Sequence, residues 1–102
     1  MKIIKKLSDY IEDELCDAKK YATEAIKYKT EYPELSKLFF ALSGEEMGHM
    51  DRLHKAVVGM IEKYRREQGE PPVNMMAVYE YLHDKQIEQA AEVKIIQDMY
   101  NK

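Results

Sequence analysis

Three side chains of this 102-residue chain are of a kind, and at a spacing, that can hold a metal ion: Glu14, Glu46 and His49. Glu46 and His49 are three residues apart, so one helical turn brings carboxylate and imidazole to the same side, within reach of one ion. Each of the three stands where an apolar residue is expected. Glu14 interrupts the series Ile4, Leu7, Ile11, Ala18, Tyr21, Ala25, Tyr28. Glu46 and His49 interrupt Leu35, Leu38, Leu42, Leu53, Ala56, Met60, Tyr64. An ionised carboxylate on such a seam costs several kcal/mol unless positive charge compensates it. A divalent cation supplies that charge. Carboxylate and imidazole without a thiolate suit iron or manganese, with zinc as a further candidate.

The elements that carry these residues are helices. The three prolines sit at positions 33, 71 and 72, and two breaks stand out, Thr30-Glu31-Tyr32-Pro33 and Gly69-Glu70-Pro71-Pro72. Pro33 suits the first turn of a helix, and Gly69 can take the left-handed conformation that ends one. Apolar residues recurring every three or four positions predict helices over 2–30, 33–67 and 73–100. Connections this short make neighbouring helices antiparallel. The expected fold is therefore all-α, an up-down-up three-helix chain forming one domain over residues 1–102.

In an antiparallel pair turning near position 31.5, residue numbers that sum to about 63 lie side by side. Glu14 then faces His49, both roughly 22–26 Å from the turn at 1.5 Å per residue. The same reckoning across the second turn sets Glu92 level with His49 and Glu88 about one turn away. His83 falls roughly 9 Å off that level. Glu88 and Glu92 are therefore candidates for added ligands, closing the site within one chain. Gly44 and Gly48 are glycines in a helix interior, where each costs about 1 kcal/mol relative to alanine, and a close approach by another element is expected there. The third helix is apolar most of the way around, with Tyr81, Ala91, Ile95 and Met99 as a second stripe. Such surplus predicts self-association.

Composition excludes other classes. The chain has 16 basic and 19 acidic residues, net charge −3, and so no basic field for nucleic acid. One cysteine, Cys16, rules out an internal disulfide and a Cys-x-x-Cys centre. No apolar run suits a signal peptide or a membrane span, so a cytoplasmic protein is expected.

Glu45-Glu46-Met47-Gly48-His49 followed by Leu53 resembles the Glu-Glu-x-x-His-x-x-x-Leu segment of ferritin-like and rubrerythrin-like di-iron carboxylate proteins. Glu14, with Ala18 and Tyr21 after it, is similar to the preceding ligand helix of that family. The likeness covers roughly residues 4–66. It implies a dinuclear iron centre with ferroxidase or peroxidase-like chemistry, and a redox or ligand-supporting role for Tyr21, although Tyr21 and Tyr28 read most simply as core packing. The chain departs from the family in offering one Glu helix and one Glu-x-x-His helix, which is half a site. A homodimer would supply two each of Glu14, Glu46 and His49. No four-cysteine rubredoxin portion is present, so reducing electrons must come from an external donor.

With three His and 13 Glu in the chain, one Glu-x-x-His match says little alone, and Glu80-Tyr81-Leu82-His83 is a second. His83 and His54 read as structural, Glu45 as a solvated neighbour, and Glu80, Asp84, Glu88 and Glu92 as a hydrated ridge before they read as ligands. The seven methionines read as core filler and Cys16 as a free surface thiol. The rival reading of the whole chain is a metal-free helical interaction module, in which Glu14, Glu46 and His49 set the pairing register.

Overall fold

The computed structural model describes residues 2–102 and is all-helical, without strands. Helix α1 spans Lys2–Lys27, α2 Pro33–Gln68 and α3 Val73–Tyr100. Residue 32 precedes a proline and is held extended (φ −134°, ψ 71°), so α1 cannot run into α2. Pro33 then opens α2, where its missing N–H costs nothing, and the Ser36 N–H donates to the Tyr32 carbonyl at 2.9 Å. The first helix stops at Lys27, three residues short of the expected end. Its last turn tightens, Lys29 N–H donating to Ile26 at 3.3 Å, so that Tyr28 can meet Tyr32 edge-on. At the other end of α2, Gly69 adopts φ 86°, open to glycine at little cost, and its N–H donates to the Arg65 carbonyl at 3.1 Å.

The three helices form a rod of about 55 × 19 × 18 Å. Helix α1 lies along both others, antiparallel to α2 and parallel to α3, while the backbones of α2 and α3 barely approach each other. Side chains bridge that gap: Phe40 stacks on Tyr100 (4.2 Å) and His54 on His83 (4.8 Å).

Having two neighbours moves the buried stripe of α1. The residues inside are Ile4, Ser8, Ile11, Leu15, Ala18, Ala22 and Ala25, a continuous 4-3 spacing. The expected seam shares Ile4, Ile11, Ala18 and Ala25 with it. Leu7, Glu14, Tyr21 and Tyr28 are instead half-buried, because α3 draws the buried arc to its own side. Three fully buried alanines let α2 come close, and the contact is tied by hydroxyls. Ser36 Oγ donates to the Ala25 carbonyl, and Ser43 Oγ to that of Ala18 at 2.7 Å. Gln97 Nε2 donates to Ser43 Oγ at 3.0 Å, and Gln86 Nε2 to the Ser8 carbonyl at 3.3 Å, so α3 joins the same polar seam.

On α2 the correction is larger. Its buried residues are Ser36, Ser43, Val57 and Ile61, not the leucine seam. Leu35, Leu38, Ala56 and Met60 are exposed, and Leu42 and Leu53 half-buried. The two other helices cover α2 on one side only, so much of the expected seam becomes an outer face. The stripe containing Met47, Met50 and Ile61 packs in the core. Nothing lies within 4 Å of a side chain placed at Gly44 or Gly48, so no element of this chain makes the expected close approach. On α3, Val78, Tyr81, Ile87, Ile95 and Met99 stay exposed.

Candidate metal centre

Glu14 sits midway along α1, and Glu46 and His49 occupy successive turns of α2. The antiparallel pairing brings them together as their register requires. His49 Nδ1 lies 3.4 Å from Glu14 Oε2 and 3.9 Å from Glu46 Oε2. One ligand atom from each of the three falls within 4.8 Å of the others, and this is the one such group among the described residues. The side chains are 25%, 19% and 49% exposed respectively, so the group lies part-buried at the surface of the α1–α2 pair.

The two carboxyls disfavour each other's ionisation. Glu46 is pushed up to about 7 from an ordinary 4.5, first by its hydrogen bond with Glu14, then by burial and by repulsion from the Glu14 charge. His49 opposes this, and Asp17 adds to it. Glu14 Oε2 is itself buried and has no hydrogen-bond partner, a state that costs about 1–3 kcal/mol or more for a charged group. Two carboxylates thus share one proton at a site where one oxygen, Glu14 Oε2, is left without a donor. Asp17, which contributes to that repulsion, was not singled out in the sequence; its place one turn after Glu14 is the signal that could have found it.

The group lies on the side of the α1–α2 pair away from α3. Lys19 reaches Glu92 on α3 (3.1 Å) and stands about 140° around α1 from Glu14 at 3.6 residues per turn. That geometry keeps the two candidates on α3 out of the group. Glu92 is exposed and paired with Lys19, and Glu88 is exposed, so neither closes the site within one chain. Axial level was reckoned well for Glu92, but the direction in which α3 packs was not. Glu80, Asp84 and Glu45 are exposed. His83 is half-buried between His54 (4.8 Å) and Tyr79 (5.7 Å), apart from the group. Burial, then repulsion from His83, holds the His54 imidazole below its ordinary value against the pull of Asp51. Cys16 is free and exposed.

The set offers two hard carboxylates and one imidazole, three protein donors with the outward side open. Such a set leaves coordination positions for water, a second ion or a partner's residues. No family model, curated protein or solved structure matches the chain. Among the described residues no helix is long and apolar enough to cross a membrane.

Proposed function

We propose that this is a ferritin-like metal-binding protein whose homodimer builds a dinuclear iron carboxylate centre, with manganese or zinc as alternative ions. The observation that carries the reading is the Glu14–Glu46–His49 group: three ligand atoms within 4.8 Å, including a buried carboxylate oxygen with no donor. Glu14 and Glu46 would supply negative charge and bridging oxygens, and His49 one terminal nitrogen per ion. Bound iron would supply oxidation of Fe(II) by oxygen or peroxide. Around the group, Leu35, Leu38 and Met60 expose an apolar face of α2. A second copy laid on that face about a two-fold axis would cover it and double the ligand set.

The test is metal analysis of protein purified without chelator, alongside Glu46→Ala and His49→Ala. Iron, manganese or zinc at one to two ions per dimer, lost in both variants while helicity is kept, supports the reading. One feature favours the metal-free alternative: His49 Nδ1 faces both carboxylates, as a protonated imidazole would in a register-setting layer. Unmodified protein that binds none of the three ions, and dimerises unchanged in both variants, would establish that alternative.

A further inference from the structure

Two imidazoles face each other across the gap between α2 and α3. The His54 and His83 rings lie 4.8 Å apart with planes 9° from parallel, where the two backbones barely approach. Both side chains are half-buried. Histidines inside a fold are ordinarily explained by hydrogen-bonded neighbours. Here no described residue hydrogen-bonds to either ring, yet neither ring has a nitrogen sealed from solvent. Their lone pairs therefore open on the cleft of about 200 Å³ that the two rings line together with Asp51 and Gln86. Asp51 stands one turn before His54 on α2, is exposed, and its charge reaches the His54 ring. Glu80, one turn before His83, borders a different cleft with Arg65 and Glu70, which leaves Asp51 as the acid on this side.

We propose that His54 and His83, with Asp51 turning in from the rim of their cleft, hold a zinc ion that clamps α2 to α3. The site is separate from the Glu14–Glu46–His49 group: His54 follows His49 by five residues, about 140° around α2. It needs neither a second copy of the chain nor the dinuclear reading. Two imidazoles and a carboxylate suit zinc at three corners of a tetrahedron, with water at the fourth. Magnesium and calcium prefer sets made wholly of oxygen and are poorly served by two ring nitrogens. Burial and the nearness of His83 disfavour the charged form of His54, and the neutral ring is the one that ligates. The helices already hold both rings at one level. Binding turns them out of their stack until one nitrogen of each meets the ion, and Asp51 swings in from solvent. An ion held this way ties α3 to α2 directly, where side chains alone now bridge the gap.

The test uses the full chain, free of any histidine tag, with Glu46→Ala and His49→Ala introduced together to silence the other group. With His49 replaced, His54 and His83 are the two histidines left to give imidazole signals. Zn(II) is titrated by calorimetry and by proton nuclear magnetic resonance, with helicity followed by circular dichroism. One equivalent per chain should move both imidazole signals together and raise the thermal midpoint, while Mg(II) does neither. His54→Phe and His83→Phe each keep a ring in the stack and remove a donor, and each should weaken binding by an order of magnitude. Asp51→Asn should weaken it several-fold. The unmodified chain is read in parallel, and the His54 and His83 signals should move there too. Imidazole signals that stay in place as zinc is added, or His83→Phe protein that binds as tightly as its parent, would overturn the clamp and leave the ring pair as packing only. Neither result would bear on Glu14, Glu46 and His49, which are tested by their own variants.

Discussion

His49 Nδ1 and Glu14 Oε2 lie 3.4 Å apart across two antiparallel helices, and no hydrogen bond satisfies that carboxylate oxygen. The pair is close enough to attract and too loosely set to close. Glu46, at 3.9 Å from the same nitrogen, completes a triangle of donors around a small volume. Two acids converging on one imidazole leave the group short of positive charge, which is the property the next prediction measures.

Glu46 carries its proton up to about pH 7 in the folded chain, against 4.5 for an ordinary glutamate. Below the lower value both folded and unfolded chains hold the proton, and the group contributes nothing. Between the two values the unfolded chain ionises first, so it binds fewer protons and stability falls as pH rises. With chelator present, the thermal midpoint should drop over this window, by on the order of 1–3 kcal/mol of stability. Glu46→Gln should remove most of the drop. Added Fe(II) or Zn(II) should reverse it, since the ion binds the ionised carboxylate. Melts by circular dichroism check this; a chelated protein whose midpoint climbs across the window would contradict it.

Ser43 is fully buried, donating to the Ala18 carbonyl and accepting from Gln97 Nε2. Ser43→Ala removes both bonds and strands the Gln97 amide. A loss of about 1 kcal/mol is expected, since the Gln97 amide is only half-buried and water can still reach it. Gln97→Leu on its own leaves the Ser43–Ala18 bond in place and should cost less. The two changes share one network, so a double-mutant cycle should show coupling of about 0.5 kcal/mol or more. Urea unfolding at constant m-value measures all three; additive effects would mean the clasp adds nothing as a unit.

Helix number, both turns and the axial level of Glu14 against His49 were legible because they depend on local chemistry and arithmetic. Pro33 and Gly69 punctuate the chain, and a short turn fixes antiparallel register. Which side of a helix faces inward was not legible. Glu14, Tyr21 and Tyr28 fall on a stripe as regular as Ser8, Leu15 and Ala22, and periodicity cannot rank two adjacent stripes. The choice is made by α3, which buries the second stripe and leaves the first half-buried. Hence Glu88 and Glu92, read from level alone, stand exposed on α3, Glu92 paired with Lys19. The serines that tie α1 to α2 read as ordinary polar residues until the close alanine contact is seen.

Leu38 is 52% exposed, and at 100° per residue it shares a face of α2 with Glu46, Leu35 and Met60. If a second copy covers that face, a charge there should break the assembly while leaving Glu14, Glu46 and His49 as they are. Leu38→Lys should shift sedimentation from dimer to monomer and lower the bound metal per chain. Stability of the monomer should change within about 0.5 kcal/mol, as for other exposed substitutions. Dimers persisting in Leu38→Lys with full metal content would place the interface elsewhere, and the exposed apolar side chains of α3 would be the next surface to charge.

Ala18 controls the spacing between the helices that carry Glu14, Glu46 and His49. It is wholly buried, one turn beyond Glu14, and its carbonyl receives the Ser43 hydroxyl of α2. A larger side chain there must push α2 outward or distort its own rotamer, typically at about 1–3 kcal/mol. Any outward shift widens the His49–Glu14 gap of 3.4 Å, because both contacts join the same two helices. Ala18→Leu should therefore weaken metal binding several-fold with every ligand intact. Ala25→Leu is the control: it is as deeply buried but about two turns farther from the ligands, so it should cost comparable stability with a smaller effect on the metal. Titration calorimetry with Zn(II) on both variants, alongside melts, separates the two effects. Equal loss of affinity in Ala18→Leu and Ala25→Leu would show that general destabilisation, not helix spacing, sets the strength of the site.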